Sequence, residues 1–432
     1  MNIDFLISVL KESGAGAWEI TDQKNHGWEF YFIRHKLDQN RAKDVEHVTV
    51  KVYEVLEDGK FLGSASMEIP PTASEDEIRK MIGDLSFRAR LVKNPFYRLN
   101  PGDGKPHQNL KMVSLENISD DFIRTMKNLP EEETRDINSY EIFISEMNRR
   151  YINSEGADYT DVYPSSMLEV VINARTEEKD HEIELYRMLT SGTCDSLHIA
   201  EEIEKAMAYG TDKLKAENTP MLGKVPVVFS TDNSLEFYHY FEAQMDAALK
   251  YQQISRAEIG QPVLAGMQGD QISMKAVAFL PNSSHNFSID TEGAPIEDRW
   301  LIKDGIAENF YGARQFSQYL GLEKSSQVFN IVVEGGSKSE EELRQGNFLE
   351  AVEFSDFQVD PMTGDIAGEI RLAYWHHDGR VQIVSGGSVS GNMKEAAENM
   401  YLSREKKLYD GMDVPAVIRF ESLTITGIGG DQ

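Results

Sequence analysis

With a single cysteine, Cys194, the chain cannot form a disulfide within itself, so a reducing compartment is expected. No apolar run comes near the roughly 20 residues that span a bilayer, so no transmembrane segment is expected. Basic residues are scarce: 44 Lys and Arg against 72 Asp and Glu leave a formal net charge of −28. Nucleic-acid affinity comes largely from cations that neutralise phosphates, and no basic cluster offsets the deficit. Direct binding of nucleic acid is not expected, and the charge reads as a solubility feature. The opening MNIDFLISVLKESG lacks a basic flank and a small-residue cleavage site. It reads as an amphipathic helix ended by Gly14, not a secretory signal. The expected location is cytoplasmic.

What is present suits a soluble globular protein. At 432 residues and 40% hydrophobic content the chain is long enough for one large or two medium domains with a substantial core. Strands are expected at Trp28–Phe32, Val45–Val55 and Phe61–Ile69, the last two joined by the turn Glu57-Asp58-Gly59-Lys60. Ser74 and Glu77 form a capping box, and the helix behind them carries Ile78, Met81, Ile82, Leu85 and Ala89 on one face. Asn100–Leu110, rich in Pro, Gly and Asn, reads as a loop that could subdivide this region. Short helices are expected at Asp120–Lys127 and Glu131–Ser139, strands at Glu141–Tyr151 and Ser166–Ala174, and a helix near Leu197–Leu214.

Pro220–Lys224 is the expected boundary, giving domains 1–219 and 220–432. The second opens with a buried strand, Val225–Phe229, and a helix from Ser234 to Tyr251. It then turns mostly to strands: Gln271–Leu280, Trp300–Lys303, Val328–Glu334, Ala351–Val359, Gly368–Trp375, Arg380–Val384 and Pro415–Thr426. Helices interrupt near Gly312–Leu320 and Met393–Leu402. The class is α+β, an N-terminal α+β domain followed by a strand-rich C-terminal one.

The stretch Phe357–Met400 is the most distinctive. Asp360-Pro361-Met362-Thr363-Gly364-Asp365 is turn chemistry. His376-His377-Asp378-Gly379 reads as a tight hairpin turn whose adjacent histidines point to opposite sides. Gly386-Gly387 thins the backbone where other chain or a ligand can approach. Asn392 caps a helix with Glu395 in the reciprocal position, and Met393, Ala396, Ala397, Met400 and Tyr401 form its apolar face. Three further marks accompany it: Tyr151-Ile152-Asn153-Ser154-Glu155-Gly156; Gly293-Ala294-Pro295 followed by Leu301-Ile302-Lys303-Asp304-Gly305; and the closing PAVIRFESLTITG, Pro415–Gly427.

In this order these motifs resemble the TldD/PmbA family, once called modulators of DNA gyrase and regarded as metallopeptidase-like. The resemblance runs from about residue 150 to 427. It implies a two-domain fold and a pairing of one zinc-bearing subunit with one lacking the site. Members that cut peptides carry H-E-x-x-x-H on a helix after the first C-terminal strand. Two imidazoles there hold zinc, a glutamate activates the bound water, and a cysteine near the C-terminal end completes the set. Here that region reads STDNSLEFYHYFEAQ. His239 falls at the first ligand position, but Tyr240 follows it and Gln244 stands where the second histidine would be. Tyr409–Pro415 holds no cysteine. No cofactor is therefore expected in this chain, and zinc is expected in a TldD-type partner.

Glu236, His239 and Glu242, at i, i+3 and i+6, are the remaining candidates for a metal, and His239 and Glu242 for catalysis. The ordinary reading of that pattern is a half-exposed helix with one histidine. Gly335-Gly336-Ser337 lacks the Lys-Ser/Thr of a phosphate loop. No G-x-S-x-G elbow appears, and Cys194 has no local catalytic context.

The resemblance thus implies a PmbA/TldE-type subunit without metal. With a zinc-bearing partner it would degrade or mature unstructured peptides, including leader peptides of modified peptide antibiotics. Capture by strand addition to an exposed sheet edge suits such substrates, and the strand-rich C-terminal half could offer such an edge. Two alternatives stand beside this reading. One is a stand-alone metallopeptidase with displaced ligands. The other is a homodimeric peptide-binding scaffold without proteolytic activity.

Overall fold

A computed structural model describes residues 1–322 and 325–428. The N-terminal half is built on one eight-stranded sheet. Its chain order is α1 (Ile3–Glu12), β1 (Ala17–Ile33), β2 (Lys36–Leu56), β3 (Phe61–Ile69), α2 (Glu75–Ala89), β4 (Asn94–Pro95), β5 (His107–Leu110), α3 (Leu115–Lys127), β6 (Arg135–Asn153), β7 (Asp158–Arg175), β8 (Glu182–Ser191) and α4 (Ser196–Lys213). The strands run β4-β3-β2-β1-β6-β7-β5, with β8 also paired to β7. Near Ile20 and Val50 the sheet packs on α1 and α2. Farther along β1, β6 and β7 the opposite half of the sheet packs on α3 and α4, through Phe32, Ile142, Leu168, Phe122 and Ile203.

The C-terminal half holds β9 (Glu217–Asn218), β10 (Gly223–Phe229), α5 (Leu235–Gln244), α6 (Ala247–Tyr251), β11 (Met274–Ala276), β12 (Arg299–Lys303), β13 (Ile306–Ala307), α7 (Arg314–Tyr319), β14 (Ile331–Val333), β15 (Phe348–Val359), β16 (Asp365–His377), β17 (Arg380–Ser385), β18 (Ser388–Asn392), β19 (Met400–Leu402), β20 (Lys406–Tyr409), β21 (Met412–Pro415) and β22 (Ile418–Thr426). One sheet runs β15-β10-β22-β18-β16-β17-β9, and β15 also pairs with β16. That extra pairing closes β15, β10, β22, β18 and β16 into a ring around Val227, Leu349, Ile366, Val389 and Ile425. A second sheet runs β13-β12-β11-β14-β21-β20. The mixed class expected from the sequence is what the chain adopts, with strand outweighing helix.

Several elements differ from expectation. Glu131–Ser139 is not a helix. Its glutamates favour one, but Arg135 pairs with Ala174 and Ile137 with Ile172, so β6 begins there and tertiary pairing overrides propensity. The helix Ser234–Tyr251 breaks after Gln244, because Asp246 leaves the helical conformation and its side chain caps Leu249 N at 2.9 Å. Of Gln271–Leu280 only Met274–Ala276 is a strand; Leu280 N bonds to Asn286 Oδ1 instead of a ladder. Met393–Leu402 is one helical turn, a 3₁₀ turn and β19, drawn into strand by β22. Asn392 caps that turn through Lys394 N at 3.1 Å, while Glu395 is not its reciprocal partner. His376 and His377 lie within β16; the turn itself is Asp378-Gly379, both at positive φ as a two-residue hairpin requires. Asn100–Leu110 ends in a strand, β5, parallel to β7.

Candidate functional site at the junction of the two halves

Helix α5 buries Phe237, Tyr238, Tyr240 and Phe241 and turns His239 outward. His239 Nδ1 lies 3.0 Å from Glu242 Oε2, and Tyr311 donates to the other Glu242 oxygen at 3.2 Å. The hydrogen bond to Glu242 raises the imidazole pKa, burial opposes it, and the carboxylate charge adds to it. Gln244, in the second-histidine position, donates to Pro361 O at 2.8 Å. Among the described residues no group of three or more His, Cys, Asp or Glu side chains could hold a metal ion. The Glu236 charge is felt at His239, but Glu236, His239 and Glu242 do not form a metal-holding group. One imidazole and one carboxylate do not make the closed or three-ligand set that zinc takes. This donor set does not fit the zinc that the resemblance implies for other members.

Cys194 is half-buried, with Thr125 Oγ1 at 3.6 Å. Burial pushes its thiol pKa up, away from a nucleophile's range.

Two of the motifs that carry the resemblance, Tyr151–Gly156 and Gly293–Pro295, meet at the junction of the halves. Asn153 accepts from Glu155 N and Ala157 N, each at 3.0 Å, and donates to Asn100 O at 2.8 Å. Across the junction Asp290 repeats this turn, accepting from Glu292 N at 2.8 Å and Ala294 N at 2.9 Å. Asn100 donates to Glu292 O at 3.0 Å and links the two. Gly293, at φ +79°, lies so close to Tyr151 that a Cβ there would sit 2.3 Å from the ring. Behind Tyr151, the buried Glu19 accepts from the Tyr53 and Tyr151 hydroxyls, both at 2.9 Å. Burial raises the Glu19 pKa, against the Lys51 charge and the two hydroxyl donors. Burial likewise raises Asp290 and Glu292. Arg149 donates to Ile289 O at 2.6 Å, and Asp161 accepts from Ser288 Oγ at 2.5 Å. These residues are structural: they fix one half against the other.

A second junction is hollow. Two adjoining cavities of about 570 and 170 Å³ share His198, Lys205, Tyr209, Ser230 and Lys407. Their polar walls are paired: Lys407 bonds Glu202 at 2.6 Å, Lys205 bonds Glu202 at 3.2 Å, and Arg187 bonds Glu353 across the halves. Burial opposes charge on Glu202, but the two lysines outweigh it and hold its pKa down. Burial lowers the His198 pKa. Tyr409 stands in the stretch where peptide-cutting members carry cysteine. Its hydroxyl is buried without a partner, and its ring borders the smaller cavity together with Leu235 at the start of α5.

Four consecutive residues of β8, Arg187–Thr190, form another wall of that cavity. Strand β8 pairs only with β7, so its outer edge has no strand partner among the described residues. Strand β8 is not among the strands expected from the sequence. Its alternation is blurred because the outward face carries Tyr186 and Met188, 53% and 54% exposed, in place of polar residues.

Residues 222–427 match the family model described as the PmbA/TldA metallopeptidase C-terminal domain. The whole chain is similar in fold to TldE from Thermococcus kodakarensis, with TM-score 0.75, 17% identity, and coverage of 98% of this chain and 100% of that one. A protein named as a modulator of a DNA gyrase from Thermotoga maritima gives TM-score 0.75 at 17% identity, covering 98% and 99%. One named likewise from Bacteroides thetaiotaomicron gives 0.75 at 15% identity, covering 98% of each chain. No curated protein matches in sequence. No described helix is long and apolar enough to cross a membrane.

Proposed function

Starting from the TldD/PmbA-family recognition that the motifs gave and residues 222–427 bear out, we propose that this chain is a PmbA/TldE-type subunit that holds unstructured peptides for a zinc-bearing, TldD-type partner. The observation that carries the reading is the unpaired edge of β8 opening on the cavity between the halves. An extended peptide can add to such an edge through main-chain hydrogen bonds, which suits substrates without fixed sequence. The expectation had favoured an edge in the C-terminal half; the one that borders the cavity belongs to the N-terminal sheet.

In this reading a zinc held by the partner would supply the hydrolytic chemistry, and this chain's residues bind and orient the peptide. Tyr409 Oη, free of internal partners, can donate to a peptide carbonyl, and the Lys407–Glu202 pair lines the approach. Residues 1–219 and 220–432 act as two domains whose fixed relation keeps the cavity open. The location is cytoplasmic.

Amide hydrogen exchange tests the capture step. Outward N–H groups of β8 exchange freely in the isolated chain and become protected when an unstructured peptide is added; unchanged exchange there would sink strand addition. Co-expression with a TldD-type protein carrying intact H-E-x-x-x-H tests the partnership. A mixed complex that cleaves peptide supports it, and a homodimer that ignores the partner counts against it. Zinc that stays with the purified chain after dialysis would contradict the assignment of metal to the partner.

A further inference from the structure

The half of the N-terminal sheet that packs on α3 and α4 has a second face that lies outside the hydrophobic clusters of the described residues. Trp28, Phe30 and Phe32 of β1 point to the helices, so Glu29 and Tyr31 point away. The pairing registers carry this face across five strands. One rung reads Gln39, Tyr31, Glu141, Glu169, Met188; the next reads Arg41, Glu29, Phe143, Met167, Thr190. Successive rungs on a face lie two residues apart, about 7 Å.

A solvated sheet face ordinarily alternates polar side chains of both signs. Here Glu141 and Glu169 are direct cross-strand partners, an arrangement that costs stability because like charges face each other. Burial raises the Glu141 pKa first, the Glu169 charge adds to this, and Arg41 opposes it. Arg41 is already engaged, 4.0 Å from Glu29 and with its guanidinium 5.2 Å from the Tyr31 ring centre. Tyr31 and Phe143 meet edge to face at 5.9 Å, and Tyr186 and Met188 stand more than half exposed on the flank. Tyr186 bonds Glu169 through its hydroxyl, which brings no charge, so the face combines two carboxylates that have no salt bridge among the described residues with aromatic and thioether surface, the combination that takes a cation on an apolar stem.

We propose that this open face is a docking surface for lysine- or arginine-bearing stretches of the substrate peptide, with the cation seated at Glu141 and Glu169 and its apolar neighbours on Phe143 and Met188. The proposal rests on the peptide-holding reading and adds a charge preference to it. A second copy of the chain is the poorer occupant, since a net charge of −28 repels itself.

Fluorescence anisotropy on the purified full chain tests it, with a labelled unstructured peptide of alternating Lys and apolar residues and a counterpart carrying Ser for each Lys. The expected result is roughly tenfold tighter binding of the basic peptide at low salt. Glu141→Gln with Glu169→Gln should abolish that difference while leaving binding of the Ser peptide unchanged. The double substitution removes a repulsion, so the fold is expected to survive, and circular dichroism checks this. Equal binding of the two peptides, or a preference that survives the double substitution, overturns the charge preference alone. No binding of either peptide overturns the peptide-holding reading as well. A dimer that the double substitution strengthens and no peptide displaces would assign the face to self-association instead.

Discussion

Two regions are walled by both halves of the molecule, and they are built to opposite ends. At Tyr151 and Gly293 the contact is filled: two matching turns, a buried glutamate and a glycine pressed against a ring leave no room. At β8 and Tyr409 the contact is hollow, with paired charges, an unused hydroxyl and a free strand edge. The filled region contains two of the motifs that carry the resemblance, Tyr151–Gly156 and Gly293–Pro295, whereas the hollow one takes only Ala416 and Val417 from another, Pro415–Gly427. Those two motifs therefore describe how the halves are locked, and most of the cavity wall comes from residues outside the motifs.

The sharpest way to break this contrast is Gly293→Ala. The new Cβ meets the Tyr151 ring at 2.3 Å, and φ +79° disfavours any side chain. Overpacking and backbone strain together should cost about 3 kcal/mol, read by denaturant unfolding; a loss below about 1 kcal/mol would show that the junction yields. Next is Asn153→Ala, which removes the acceptor for two backbone N–H groups and a donor to Asn100 O. Orphaning these buried groups should cost about 2 kcal/mol in the same measurement.

A smaller, pH-dependent effect comes from Glu19. Its carboxyl is raised in the fold, so its contribution is fully present below the unfolded pKa and is lost as pH rises through the higher folded value. Glu19→Gln removes that titration. The stability of the variant relative to the parent should rise between acid and neutral pH, and a flat or falling difference would contradict the assignment. The smallest effect is expected on α5. His239→Ala breaks only a half-exposed pair with Glu242, worth at most about 0.5 kcal/mol. Peptide cleavage by a reconstituted complex should be unaffected; a drop of orders of magnitude with the fold intact would make α5 catalytic and erase the distinction drawn above.

Much of the architecture was legible in the sequence because local chemistry and tertiary demand agree. The Ser74–Glu77 capping box forms as written, and α2 buries Ile78, Ile82, Leu85 and Ala89. Gly387 lies where a Cβ would meet Thr426 O at 2.2 Å, so the glycine pair is explained by close approach of other chain. Legibility failed where partners distant in sequence decide. Glu131–Ser139 has the composition of a helix and the pairing of a strand. Strands β1 and β2 run well past the expected Trp28–Phe32 and Val45–Val55, because charged residues such as Lys43 and Asp44 occupy a paired strand with an open outer edge. At the site, the missing H-E-x-x-x-H could be read directly from STDNSLEFYHYFEAQ. The hollow could not, since Arg187, Tyr209, Glu353 and Tyr409 converge only after both halves have folded.

The ring of β15, β10, β22, β18 and β16 also governs how the protein can be made. Residues 418–426 supply the strand that sits between β10 and β18, joining segments nearly the whole C-terminal half apart in sequence. Contacts of such separation form late and slowly, because loop closure must precede them. During synthesis β10 waits, apolar and half-paired, until the ribosome has released the chain as far as Thr426. A chain cut short before Ile418 leaves the ring with two bare edges and a route to aggregation.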